Sequence, residues 1–220
     1  LSTSGIGAAG NIDVREANAL PTGLSVTTHS SGQVVSLSAP SITVGSNIGD
    51  AADTLMLSAG DIVGGVGTLT GNQIFLTASG GIGIGAPVKT NTAMAGGLVL
   101  STSGIGAAGN IDVREANALT TGLSVTTHSS GQVITITAPS IGANSISDAN
   151  DDVTLIGTVG NIDGVGSVLT AKNMTLEAQG GIGTPGVNVT NSARTYYQKA
   201  LEATGDPEAA RLAARKAAAQ

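Results

Sequence analysis

The 220-residue chain holds 33 Gly, one Phe, two Tyr, no Trp and no Cys; only 11% of it is charged, and its formal net charge is -6. Against a usual charged share of about 25%, this excludes a coiled coil, and the acidic balance excludes a nucleic-acid binder that needs a basic stripe. Because 40% of the residues are apolar, the chain is no disordered linker, and with so few rings its core must be thin and close-packed.

From the first residue the chain copies itself. LSTSGIGAAGNIDVREANAL at 1–20 returns letter for letter at 100–119, and TGLSVTTHSSGQV at 22–34 returns at 121–133. VSLSAPSI ending at Ile42 and ITITAPSI ending at Ile141 differ by conservative swaps, and TASGGIGIG around Ile82 matches EAQGGIGTP around Ile182. A long repeat of about 100 residues is therefore present twice.

Shorter units lie inside it. Alternating apolar pairs predict strands at Leu55/Leu57, Ile74/Leu76, Leu98/Leu100, Ile111/Val113, Leu123/Val125, Ile134/Ile136, Val153/Leu155 and Met174/Leu176, each bounded by Gly, Ser, Asn or Asp. Several strands close on a phrase of small residues followed by Gly and Ile, such as SAGDI, STSGIG and TVGNI. The clearest intervals are 19 or 20 residues, so each long repeat should make about five turns and the whole chain nine or ten, a rod of roughly 45 Å at about 4.8 Å per turn. A unit this short cannot bury its own apolar face and must stack on its neighbours. The expected fold is all-β, a right-handed parallel β-helix (β-solenoid) of about 20-residue turns followed by a short C-terminal αα-hairpin. Apolar ladders should fill its interior, glycines its corners, and alternate Thr and Ser should face water. A β-sandwich also has short strands and turns, but it predicts neither the period nor the scarcity of rings.

GNIDVREANAL and the phrase LxLxAxGGIG, repeated with glycine-rich corners, resemble the repeats of filamentous haemagglutinin-like adhesins, the long β-helical proteins that bacteria export by two-partner secretion or as autotransporter passengers. The resemblance covers Leu1 to about Asn191. It implies a secreted or bacterial cell-surface rod, with a host-surface protein or glycan as partner.

Two domains are expected: a β-solenoid over 1–191 and a helical hairpin over 192–220. Five of the nine basic residues and three of the fifteen acidic ones follow position 191, which leaves the first 191 residues with 4 basic and 12 acidic. Ser192 is placed to cap a helix running to Ala203, Gly205 to end it, and Asp206-Pro207-Glu208 to start a second. Tyr197, Ala200 and Leu201 would face Ala209, Leu212 and Ala213. Such a hairpin would cover the end of the rod, which exposes unpaired strand edges. A capped rod is expected to be a monomer, an uncapped one to associate end to end.

Candidate chemistry is thin. His29 and His128 hold equivalent places in TTHSSG, five expected turns apart, too far to share a metal. Asp13/Glu16 and Asp112/Glu115 pair carboxylates as glycosidases do, but Arg15 and Arg114 lie between the acids, so surface ion pairs worth under about 1 kcal/mol are the better reading. AGDIVGGVG and VGNIDGVGS match neither a phosphate loop nor a calcium nonapeptide array. Asp148, Asp151 and Asp152 offer calcium-type oxygens, or simply a solvated acidic corner. Thr68/Thr70, Thr90/Thr92 and Thr135/Thr137 form Thr-x-Thr pairs of the kind that order water on ice-binding solenoids, although the first-copy counterpart of the last pair is Ser36/Ser38. Asn173 and Asn188 match a glycosylation acceptor pattern. No residue is assigned as catalytic, cofactor-binding or metal-ligating, and no cofactor is expected. No apolar run approaches the roughly 18 residues of a membrane span, so no membrane insertion is expected. The function read from the sequence is structural and not enzymatic: a rod segment that presents or spaces binding surfaces. The alternatives are a designed or chimeric capped solenoid without natural ligand, and an ice-binding or carbohydrate-binding face.

Overall fold

The computed structural model describes residues 1–20, 24–29, 32–93, 97–128, 130–164, 168–183 and 190–191. Residues 192–220, where the hairpin is expected, lie outside the described residues, as does Asn188. The first copy and the junction contain β1 (Ile12–Arg15), β2 (Val34–Thr43), β3 (Thr54–Val63), β4 (Thr68–Gly71), β5 (Gln73–Ala78), β6 (Ile82–Ile84), β7 (Val88–Thr92) and β8 (Leu98–Thr102). The second copy adds β9 (Ile111–Glu115), β10 (Leu119–Thr126), β11 (Val133–Ala138), β12 (Ile141–Ser147), β13 (Asp152–Gly157), β14 (Ile162–Gly164), β15 (Val168–Thr170), β16 (Asn173–Ala178) and β17 (Thr190–Asn191). The described helix is confined to two single 3-10 turns, Gly7–Gly10 and Gly106–Gly109.

Every pairing between these strands is parallel. Parallel neighbours separated by a full coil of chain make a β-solenoid, here of about 7 turns with about 21 residues between stacked strands. All eight alternating pairs expected from the sequence fall inside strands, and all their residues are buried except Met174, which is partly buried. The period-two pattern succeeds because one face of each strand meets the thin core and the other meets solvent.

Inward residues stack in columns. One column runs Ile12, Val35, Leu55, Ile74, Leu98, Leu123, Ala143, Gly164. A second runs Leu20, Ile42, Ile62, Ile82, Ile111, Ile134, Val153, Met174. A third starts Val26, Ile48, Leu69 and then turns polar at Thr90 and Glu115. Each of the first two columns spans seven steps, so the nine or ten turns expected from the sequence are too many. The steps of 24 and 25 residues around Leu98 and of 29 residues before Ile111 are longer than the 19 or 20 on which that count was based. At about 4.8 Å per turn the described rod rises roughly 34 Å.

The columns also show how the copies are set against each other. Ile111, Ile134, Val153 and Met174 are the second-copy counterparts of Ile12, Val35, Leu55 and Ile74, yet they continue the column of Leu20 and Ile82. From Ile12, four steps reach Leu98, and Ile111 begins the next face. The repeat is thus four turns plus one face, and the second copy is rotated by one face relative to the first.

Corners are built with side-chain acceptors and with glycine. The Oδ1 atoms of Asn11, Asn47, Asp61, Asn110 and Asn161 each accept a backbone N–H from the next turn, at 2.8 to 3.1 Å, on Val34, Thr68, Gly81, Val133 and Gly181 respectively. Gly32 and its counterpart Gly131 have φ of 77° and 83°, a region that a side chain strains.

Candidate functional site

Buried polar groups are the chemistry this core contains. They fall into three clusters, two of which are copies of one another.

In the first copy the carboxylate of Asp53, fully buried, accepts the backbone N–H of Gln33 on Oδ1 at 3.1 Å and that of Asp50 on Oδ2 at 3.0 Å, and Oδ2 also accepts the Thr28 hydroxyl. The Gln33 side chain reaches back a turn, its Nε2 donating to Gly5 O at 3.0 Å. In the second copy Asp151 accepts from Gln132 N at 2.8 Å and from the Thr127 hydroxyl, while Gln132 Nε2 donates to Gly104 O and Ser130 Oγ, both at 2.7 Å. Burial pushes the Asp151 carboxyl above its ordinary value; the Thr127 and Gln132 hydrogen bonds oppose this, and the nearby Asp148 and Asp152 charges add to it. The cluster needs glycine beside it. A Cβ on Gly109 would lie 2.3 Å from Gly104 O and 3.0 Å from Gln132 Cγ. Gln132 Oε1 is buried with no hydrogen-bond partner among the described residues.

The third cluster lies where the first copy meets the second. Glu115, 3% exposed, accepts the Thr90 hydroxyl on Oε2 at 2.7 Å, and on Oε1 it accepts Thr92 N and Asn117 N, both at 2.9 Å. Asn117 Nδ2 donates to Asn91 Oδ1 at 2.6 Å and to Thr92 O at 2.7 Å. Its counterpart Glu16 sits in an identical sequence but is exposed, and the hydrogen bonds of Asn18 hold its carboxyl below the usual value. The difference is one of position: Glu115 has a turn stacked above it and Glu16 does not.

The other candidates are scattered. His29 and His128 are both exposed, on neighbouring faces and four turns plus one face apart, roughly 20 Å along the axis. Asp13 and Arg15 form the expected surface pair at 3.6 Å. Asp112 is drawn in the opposite direction from Glu16: burial raises its carboxyl and Arg114 lowers it by a smaller amount. The three acids expected as one corner are spent separately. Asp148 Oδ1 accepts Asn150 N at 2.8 Å, Asp151 holds Gln132 and Thr127, and Asp152 Oδ1 accepts the side chain of the exposed Asn173 at 2.7 Å. Among the described residues no group of three or more His, Cys, Asp or Glu is placed to hold a metal ion.

The threonine pairs divide. Thr68, Thr70, Thr135 and Thr137 are partly exposed, but Thr90 and Thr92 point inward and are buried, which corrects the expectation that the Thr-x-Thr pairs face water. Their place in the third column forces it: Thr90 stacks beneath Leu69 and lends its hydroxyl to Glu115. Thr135, Thr154 and Thr175 stack in register, but the position above them is Asp112, and the first-copy equivalents read Asp13, Ser36, Met56, Phe75. The Asp-Gln-Thr clusters and Glu115 were not singled out from sequence. TTHSSGQV, repeated intact, was the available signal, since Gln after a left-handed glycine is an inward position in both copies. Among the described residues no helix is long and apolar enough to cross a membrane. No family model, curated protein or solved structure matches this chain.

Proposed function

We propose that the chain is a structural, non-catalytic rod segment of a secreted or bacterial cell-surface protein of the filamentous haemagglutinin-like kind, coiled right-handed, which presents or spaces surfaces for a host-surface protein or glycan. The observation that carries this reading is the continuity of the apolar columns and backbone ladders through both copies. The buried polar groups support it as well, because Asp53, Asp151 and Glu115 spend their oxygens on neighbouring turns and so act as internal fasteners. A rod held this way along its length resists bending, which is what a spacer needs. The duplicated phrases GNIDVREANAL and GGIG support the adhesin resemblance.

The test is location. Antibodies raised against the chain should label intact cells that express it, and external protease should remove the label. Labelling only after permeabilisation would overturn the reading. The rival, a designed or chimeric solenoid without natural ligand, is supported by the letter-for-letter duplication of 1–20 at 100–119; it predicts no native cell that displays the chain.

A further inference from the structure

The junction between the copies is a docking surface that the molecule contains twice, once filled and once open. Residues 100–119 receive the turn above them in a defined register: Ile74 stacks on Leu98, Leu76 on Leu100, Ala78 on Thr102 and Ile82 on Ile111. Backbone hydrogen bonds cross it, Ser103 N to Ala78 O at 3.0 Å and Ile82 N to Asn110 O at 2.9 Å. Residues 1–20 carry the same twenty side chains in the same order, with no described turn above them. Leu100 is fully buried whereas Leu1 is 56% exposed, and Ile111 and Val113 are buried whereas Ile12 and Val14 are only partly so.

The matching half is also present. Met174–Leu176–Ala178 and Gly180-Gly181-Ile182-Gly183 are the second-copy counterparts of Ile74–Leu76–Ala78 and Gly80-Gly81-Ile82-Gly83. In the first copy that turn is what covers 100–119. In the second copy β16 pairs with β13 alone among the described strands, and Gly183 keeps the positive φ, 69°, that Gly83 shows at 83°.

We propose that a second copy of this chain docks its 173–183 turn onto the 1–20 turn, head to tail, in the register of the internal junction. Leu176 of one molecule then stacks on Leu1 of the next, Glu177 lies opposite Ser2, Ala178 opposite Thr3, and Ile182 opposite Ile12. Such a contact joins unlike surfaces and continues the coil, so it does not close; repeated, it gives an open filament. It does not depend on the secreted-rod reading, since it rests on the duplication and the register alone. It is also the opposite of what a tail covering the C-terminal end would produce.

The full 220-residue chain, which contains no cysteine, supplies the test. In sedimentation, its weight-average mass should rise with concentration from micromolar to millimolar, and Ser4→Pro, which removes the donor equivalent to Ser103 N, should abolish that rise. A monomer throughout the range would overturn the proposal. Register is read separately by mixing chains carrying Ser2→Cys with chains carrying Glu177→Cys under mild oxidation. Stacked parallel positions lie at disulfide distance, so this mixture should give a cross-linked dimer at least tenfold more abundant than Ser2→Cys mixed with Thr175→Cys. Equal yields from the two mixtures, or none from either, would overturn it.

Discussion

Identical residues serve different ends here according to what lies above them, and Glu115 and Glu16 show it within one chain. Glu115→Ala should cost about 2–3 kcal/mol, because the Thr90 hydroxyl and the Thr92 and Asn117 N–H groups lose their acceptor in a buried place. Glu16→Ala, in the same sequence, should leave the melting temperature unchanged. Thermal unfolding of the two variants side by side checks this, and equal losses would contradict it. At Asp151 the charge itself is the burden. Asp151→Asn keeps an acceptor for Gln132 N and lets the Thr127 hydroxyl rotate to accept, so it should be near neutral, whereas Asp151→Ala should cost about 1–3 kcal/mol. The pH dependence follows from the raised carboxyl. The folded state binds this proton more readily than the unfolded chain, so its contribution to stability is greatest at acid pH and is lost as pH rises from the ordinary aspartate value through the raised one. Wild type should therefore lose stability relative to Asp151→Asn over that interval, and a flat difference between them would exclude the mechanism.

At the scale of the strand, stability comes from columns of Leu, Ile and Val with no ring among them. Leu76 is fully buried, stacked between Leu57 and Leu100. Leu76→Ala should cost about 2–5 kcal/mol, the range for a large-to-small change in a core that cannot collapse. Met174, partly buried at the last described turn of its column, should cost visibly less when changed to Ala. Urea unfolding of both variants reads the difference, and a Met174 loss equal to that of Leu76 would show that the columns are not the organising unit. These strands were legible in the sequence because inward apolar residues alternate with outward polar ones. Thr90 and Thr92 were not legible as core, since a threonine pair reads as outward until the position of its neighbours Leu69 and Glu115 is known. The Asp53 and Asp151 clusters escaped for the same reason: their partners lie about 20 residues away, a full turn of chain.

For the whole molecule, the sequence revealed the duplication and the solenoid but overcounted the turns. Two short intervals, 55 to 74 and 153 to 174, stood for all, while the long connections between Ile82 and Leu123 are what carry the chain from one copy into the next. Those connections set the repeat at four turns plus one face. Duplicated surface groups such as His29 and His128 therefore look out from neighbouring faces, and no duplicated side chain forms a ladder with its own twin. That arrangement is the central claim, and Arg114 tests it most directly. Arg114 stacks beneath Lys89, whereas its first-copy twin Arg15 lies in the column of Ser38, Ser58 and Thr77. With Lys89→Cys and Arg114→Cys in one chain, mild oxidation should close an intramolecular disulfide, while Thr77→Cys with Arg114→Cys should stay reduced. Closure of the second pair and not the first would place the two copies on the same face and contradict the account.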